Sequence, residues 1–225
     1  MSKVFMFTLG LLLLAGPACQ EQTWESAMTA GQQAVQQGNY ADAERLFLVA
    51  TRKAEKFGLE DRRVAVSLSQ LAQVYAGQGK YVEAEPVYLQ ALKIYQVVHG
   101  EVHADVAATL NNLGVLHRMY GQYAQAEPLL RRALAIKEKL LSLDHPDVAL
   151  SLINLAQLYV AQGQPERVEP LYRRALAIRE RALGPSHPEV AKTLEDLATA
   201  LRKVGRADEA ASLELRAKRI RATRS

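Results

Sequence analysis

The sequence predicts an all-α fold, a right-handed α-solenoid of about five stacked helix-turn-helix repeats. Three observations predict it. Glycines recur at a fixed interval: Gly79, Gly121, Gly163 and Gly205 stand 42 residues apart, and Gly38 opens the series one residue out of step. The surrounding residues recur too. Gly79-Lys80-Tyr81-Val82-Glu83-Ala84-Glu85-Pro86 is echoed by Gly121-Gln122-Tyr123-Ala124-Gln125-Ala126-Glu127-Pro128 and by Gly163-Gln164-Pro165-Glu166-Arg167-Val168-Glu169-Pro170. On both sides of each glycine, apolar residues fall three and four apart, the spacing of a helix with one buried face. A constant period of this length means one supersecondary unit repeated along an axis.

The first 19 residues stand apart from that pattern. Lys3 precedes an apolar or small-residue run over 4–15, and Gly16-Pro17-Ala18 follows with small residues. This is the three-part pattern of a secretory signal peptide. A helix over the run spans only about 18 Å, short of the roughly 30 Å hydrocarbon core of a bilayer. The protein is therefore expected to be exported. Cys19 is the sole cysteine and directly follows the small-residue site, an arrangement that resembles the lipobox of bacterial lipoproteins. That resemblance implies lipidation of Cys19 and attachment to the membrane through it, in the periplasm or as an outer-membrane-attached lipoprotein. Ordinary cleavage after Ala18 is the alternative. One cysteine permits no intramolecular disulfide.

The repeat array is expected over 22–221, in units of about 24–60, 65–103, 107–145, 149–187 and 191–221, leaving 222–225 as a basic tail. In the third unit Val106, Leu110, Leu113, Gly114 and His117 share one face of a first helix. Gly121 suits the left-handed position that ends it. Tyr123, Ala126, Leu130, Ala133 and Leu134 then mark a second helix, and the small Gly114, Ala126 and Ala133 permit close crossing. Equivalent sets run through Leu71, Ala72, Tyr75, Ala84 and Tyr88, and through Leu155, Ala156, Tyr159, Val168 and Tyr172. His145-Pro146-Asp147 and His187-Pro188-Glu189 read as helix starts, with proline in the first turn and an acid at the positive end. The prolines of Glu85-Pro86, Glu127-Pro128 and Glu169-Pro170 are expected to loosen the first turn of each second helix. In the fifth unit Glu195, Asp196 and Glu214 put polar residues where earlier units carry amides and tyrosine, as a terminal capping unit requires. The array is expected to end near Ile220, with 221–225 frayed.

This spacing of small, aromatic and glycine positions resembles the tetratricopeptide repeat. The longer period, with Leu110-Asn111-Asn112-Leu113-Gly114, Arg132-Ala133-Leu134-Ala135-Ile136 and His145-Pro146-Asp147-Val148-Ala149, resembles the repeats of kinesin light chains and of the bacterial proteins that share them. The resemblance covers 22–220.

Composition and motifs narrow the function. The chain is 49% apolar with a net charge of +4, ample for a long core, and the excess of base gathers in the last ten residues. It lacks the aromatic interleaving and zinc spacing of a nucleic-acid reader. No nucleophile–base set or phosphate loop stands out, so neither an enzyme nor a cofactor is expected. His103, His145 and His187 are repeat equivalents that line up along the axis rather than converge. Gly100 breaks the helix between His99 and His103, so no metal site is expected.

What remains is the groove lined by the first helices. Thr29, Gln70, Asn112, Asn154 and Asp196 occupy one repeat position there, and an amide both donates to and accepts from a peptide backbone. The kinesin light chain resemblance implies that Asn112 and Asn154, with Asn111 completing the motif and Gln70 as a weaker match, contact a bound peptide. Gln73, Gln157, Arg118 and Lys192 are expected to flank them, favouring acidic character toward the C-terminal half. The other reading of the amides is that they bond neighbouring helices. The predicted function is a non-enzymatic interaction scaffold of the bacterial envelope that holds an extended peptide or partner protein. The alternative is a structural spacer or assembly subunit acting through its convex face or ends.

Overall fold

The computed structural model describes residues 23–222. The signal segment, Cys19 and residues 223–225 of the tail lie outside the described residues. Among the described residues there are ten α-helices and no strand: α1 Trp24–Gln36, α2 Tyr40–Ala54, α3 Arg62–Gly77, α4 Tyr81–His99, α5 Ala104–Met119, α6 Tyr123–Leu140, α7 Pro146–Gln162, α8 Val168–Leu183, α9 Pro188–Lys203 and α10 Ala207–Ala222. None of these helices is long and apolar enough to cross a membrane. They pair in chain order as five helical hairpins, and each second helix also packs on the first helix of the next hairpin.

The helix ends follow from the residues that occupy them. Thr23, Asn39 and Asp61 cap α1, α2 and α3 with a side-chain oxygen. His103, His145 and His187 do the same for α5, α7 and α9 through Nδ1, which accepts the backbone N–H two residues on. The repeated histidines are thereby explained as caps. Pro146 and Pro188 open α7 and α9 as expected. The turn glycine of α5 and α6, Gly121, has φ +80°, a conformation that L side chains rarely adopt.

Close packing depends on small residues at the crossings. A Cβ on Gly114 would lie 2.6 Å from Leu130 Cγ, and one on Gly31 would lie 2.6 Å from Phe47 Cε1. Where the same crossing pairs alanine with tyrosine, at Ala72 with Tyr88 and Ala156 with Tyr172, all four residues are buried. The core so formed runs from hairpin to hairpin; one cluster alone joins Leu130, Leu152, Tyr172, Ile178 and Leu197, drawn from three successive hairpins.

Two expectations about the chain require correction. Pro86 and Pro128 sit inside unbroken helices. The carbonyl four residues back belongs to Val82 or Ala124, both exposed, so water can replace the missing N–H. Only in the fourth hairpin is the entry loosened, into a 3₁₀ turn over Pro165–Arg167, where a second proline is present. The C-terminal end is also tighter than expected. At the first two of the residues expected to fray, Arg221 donates twice to Glu195, at 2.8 Å each, and α10 continues to Ala222, while 223–225 lie outside the described residues.

The curvature of the array follows from which helices meet. The first helix α5 touches both α3 and α7 directly. Successive second helices are instead bridged by long side chains, Arg174 to Glu138 at 2.5 Å and Arg216 to Glu180 at 2.5 Å. The first helices therefore lie on the inner, concave side.

Candidate binding groove

The inner surface is built from one stripe of each first helix. Asn111 is buried, while Asn112, Asn154 and Asp196 are half-buried. Asn154 Nδ2 donates to Asn111 Oδ1 at 2.9 Å, so these two amides serve each other across α5 and α7. Asn112 makes no side-chain hydrogen bond among the described residues.

Among the clefts of the described residues, two contain residues expected in the groove. The larger, about 310 Å³, lies between the C-terminal halves of α5, α7 and α9 and is lined by Arg118, Gln157, Tyr172, Asp196, Thr199 and Lys203, among others. Arg118 Nε is screened from solvent and has no hydrogen-bond partner, which is costly for a guanidinium unless a ligand supplies an acceptor. Burial pushes the Tyr172 phenol well above its ordinary range, so its O–H stays protonated and able to donate. The smaller cleft, about 170 Å³, is lined by Val35, Tyr40, Gln70, Gln73, Val74 and Gly77. Lys192 is exposed, and its ammonium is 2.8 Å from Asp196, which offsets its charge. Of the residues expected in the groove, Arg118 and Gln157 share one cleft, Gln70 and Gln73 share another, and Lys192 stands at the rim.

Reading the sequence missed Tyr172 as a cleft residue, because its equivalents Phe47 and Leu130 are core residues. It also missed the role of the glutamate that recurs near the start of each second helix, Glu44, Glu85, Glu127 and Glu169, the last three of them before a proline. Glu44 accepts from Lys80 at 3.0 Å, Glu127 from Arg167 at 2.7 Å, and Glu169 from Arg206 at 2.5 Å. Glu85 faces His117 Nε2 at 3.8 Å. Each pair ties a second helix to the next hairpin. Burial acts to raise the Glu127 carboxyl, but hydrogen bonds from Arg167, Arg131 and Tyr159 overcome it and hold the group below its ordinary range. The signal was present in the fixed spacing from glutamate to the next turn. His117, expected to pack, is buried at the Tyr75 and Tyr159 position. Gly100 ends α4 and leaves a short loop before α5, as expected, yet across that loop the rings of His99 and His103 stack at 3.9 Å.

Comparison with known proteins agrees with this architecture. Two family models, both described as "Tetratricopeptide repeat", match, one at residues 63–139, 121–181 and 147–223 and the other at 28–97. BtubC (BKLC) from P. vanneervenii is similar in structure, with 28% identity, TM-score 0.80, and coverage of 88% of this chain and 80% of that one. A putative kinesin light chain from Podosopora anserina, with nearly identical TPR-like repeats, has 26% identity, TM-score 0.76, and coverage of 89% and 96%. A Rap protein complexed with Competence and Sporulation Factor shares the fold at 19% identity, TM-score 0.73, with 88% of this chain aligned to 54% of that one. No curated protein matches the chain by sequence.

Proposed function

Because the chain belongs to the tetratricopeptide repeat family, whose repeats mediate protein–protein interaction, we propose that its concave face holds an extended peptide or a segment of a partner protein. The observation that carries this is the cleft across α5, α7 and α9, where the enclosed Arg118 Nε lacks an acceptor. Lys203 adds a second cation, Gln157 an amide and Tyr172 a phenol, so a carboxylate-bearing segment suits the site. Asn112, six residues before Arg118 on α5, is free to bond the backbone of the same segment. The neighbouring Rap protein was solved with a bound factor, an example of a similar fold holding a ligand. The role is that of an adaptor without chemistry of its own, as scaffolds of this fold generally are.

The place of action that fits the leader is the bacterial envelope, with the mature chain exported and held at the membrane through lipidated Cys19. Mass spectrometry of the native N-terminus tests this: a diacylated or triacylated Cys19 supports it, and an unmodified residue overturns the anchor. The groove itself is tested by titrating acidic peptides into the chain and into an Arg118→Ala variant. Loss of binding in the variant, with helicity intact, supports the assignment.

A second reading, a spacer or assembly subunit, is favoured by one observation. Leu48 and Leu89 occupy the same repeat position on α2 and α4 and are both exposed. Discrete self-association in sedimentation, abolished by Leu48→Lys and Leu89→Lys together, would support it; a clean monomer removes it.

A further inference from the structure

We propose that His99, His103 and Asp105 form a binding site for a divalent transition-metal ion of the zinc type. The site pins α4 to α5, and the inference does not depend on the groove reading. One ligand atom from each of the three residues lies within 4.8 Å of the others.

The repeat explains two of these residues and not the third. His103 caps α5 as His145 and His187 cap their helices, and an acid follows each cap at the same distance. His99 breaks the pattern. Its equivalents at the other junctions are Phe57, Leu141 and Leu183, all apolar. An imidazole in place of an apolar side chain brings a polar atom into a packed corner, and that atom requires a partner. His99 Nε2 is screened from solvent and makes no hydrogen bond. It faces Asp105 Oδ2 at 3.5 Å, and His103 Nδ1 is 3.7 Å from the same oxygen. Zinc bonds of about 2.0–2.2 Å to nitrogen and oxygen put neighbouring ligands roughly 3.4 Å apart in a tetrahedron. Two imidazoles and one carboxylate are a donor set suited to zinc, with water completing the shell.

Two features oppose the ion. Arg62 donates to Asp105 Oδ2 at 3.2 and 3.3 Å and must swing away, which its 57% side-chain exposure permits. The stacked rings lie 16° from parallel and must rotate to converge. His103 gives up its cap if it ligates through Nδ1 and keeps it if it ligates through Nε2.

The test is calorimetric titration of the metal-stripped full chain with Zn²⁺, beside a His99→Leu variant that restores the residue type of the other junctions. Cys19 and the remaining histidines are common to both, so the difference reports this site alone. The expected result is one saturable site in the native chain, weakened more than about tenfold in the variant. Zinc should also raise the melting temperature of the native chain only. Equal zinc binding by the two chains, or binding by neither, overturns the proposal. Asp105→Asn gives a second arm: it keeps the geometry but removes the charge, and unchanged zinc affinity there also counts against the site.

Discussion

Asn154 Nδ2 donates a 2.9 Å hydrogen bond to Asn111 Oδ1, joining the first helix of one hairpin to that of the next. Asn111 is 7% exposed, so its amide works inside the stack. Its neighbour Asn112 is half-buried. One asparagine joins two hairpins, and the other makes no side-chain hydrogen bond among the described residues.

Asn111→Ala should therefore cost stability, about 1–2 kcal/mol, because it strands the Asn154 amide in a partly enclosed place. Asn112→Ala should stay within about 0.5 kcal/mol of the native chain while weakening peptide binding. Urea denaturation of the two variants separates these outcomes.

Gly114→Ala should destabilise by about 1–3 kcal/mol, since the added methyl would stand 2.6 Å from Leu130 Cγ. In a Leu130→Ala background the same change should cost clearly less, and the two effects should fail to add. A double-mutant cycle by thermal or chemical unfolding measures the coupling.

Glu127 is held below the ordinary carboxylate value of 4.5 in the folded chain. A depressed carboxyl contributes stability that is complete above the unfolded value and is lost as pH falls through the folded one. Glu127→Gln should accordingly lower stability at neutral pH by about 1–2 kcal/mol. The gap between variant and native chain should narrow as pH drops below about 4.5. Melting temperatures of both proteins from pH 7 to 3 test the sign.

The sequence made most of the fold legible because repetition supplied several copies of each signal, five of the turn glycine. Gly121, Pro146 and the Gly114–Ala126 crossing each carry a local backbone requirement that a residue type states directly. The groove was only half legible. Asn111 and Asn112 are adjacent, so on a helix both fall near the inner stripe. Which of them meets the next hairpin depends on the rotation between hairpins, a quantity that a sequence period does not contain. Tyr172 and Glu127 act across hairpin boundaries, where contact is set by that same rotation. His99 replaces the apolar residue of the other junctions, but repeat spacing does not show that the loop at Gly100 folds its ring onto that of His103.

The central claim is that the cleft holding Arg118 receives a carboxylate-bearing segment of a partner. Fluorescence anisotropy with extended peptides, matched in length and carrying either acidic or amide side chains, measures this directly. The account predicts saturable binding of the acidic peptides, weakened by added salt and lost in a folded Arg118→Ala, Lys203→Ala chain. Equal affinity for acidic and amide peptides, or full binding by the double variant, would contradict it.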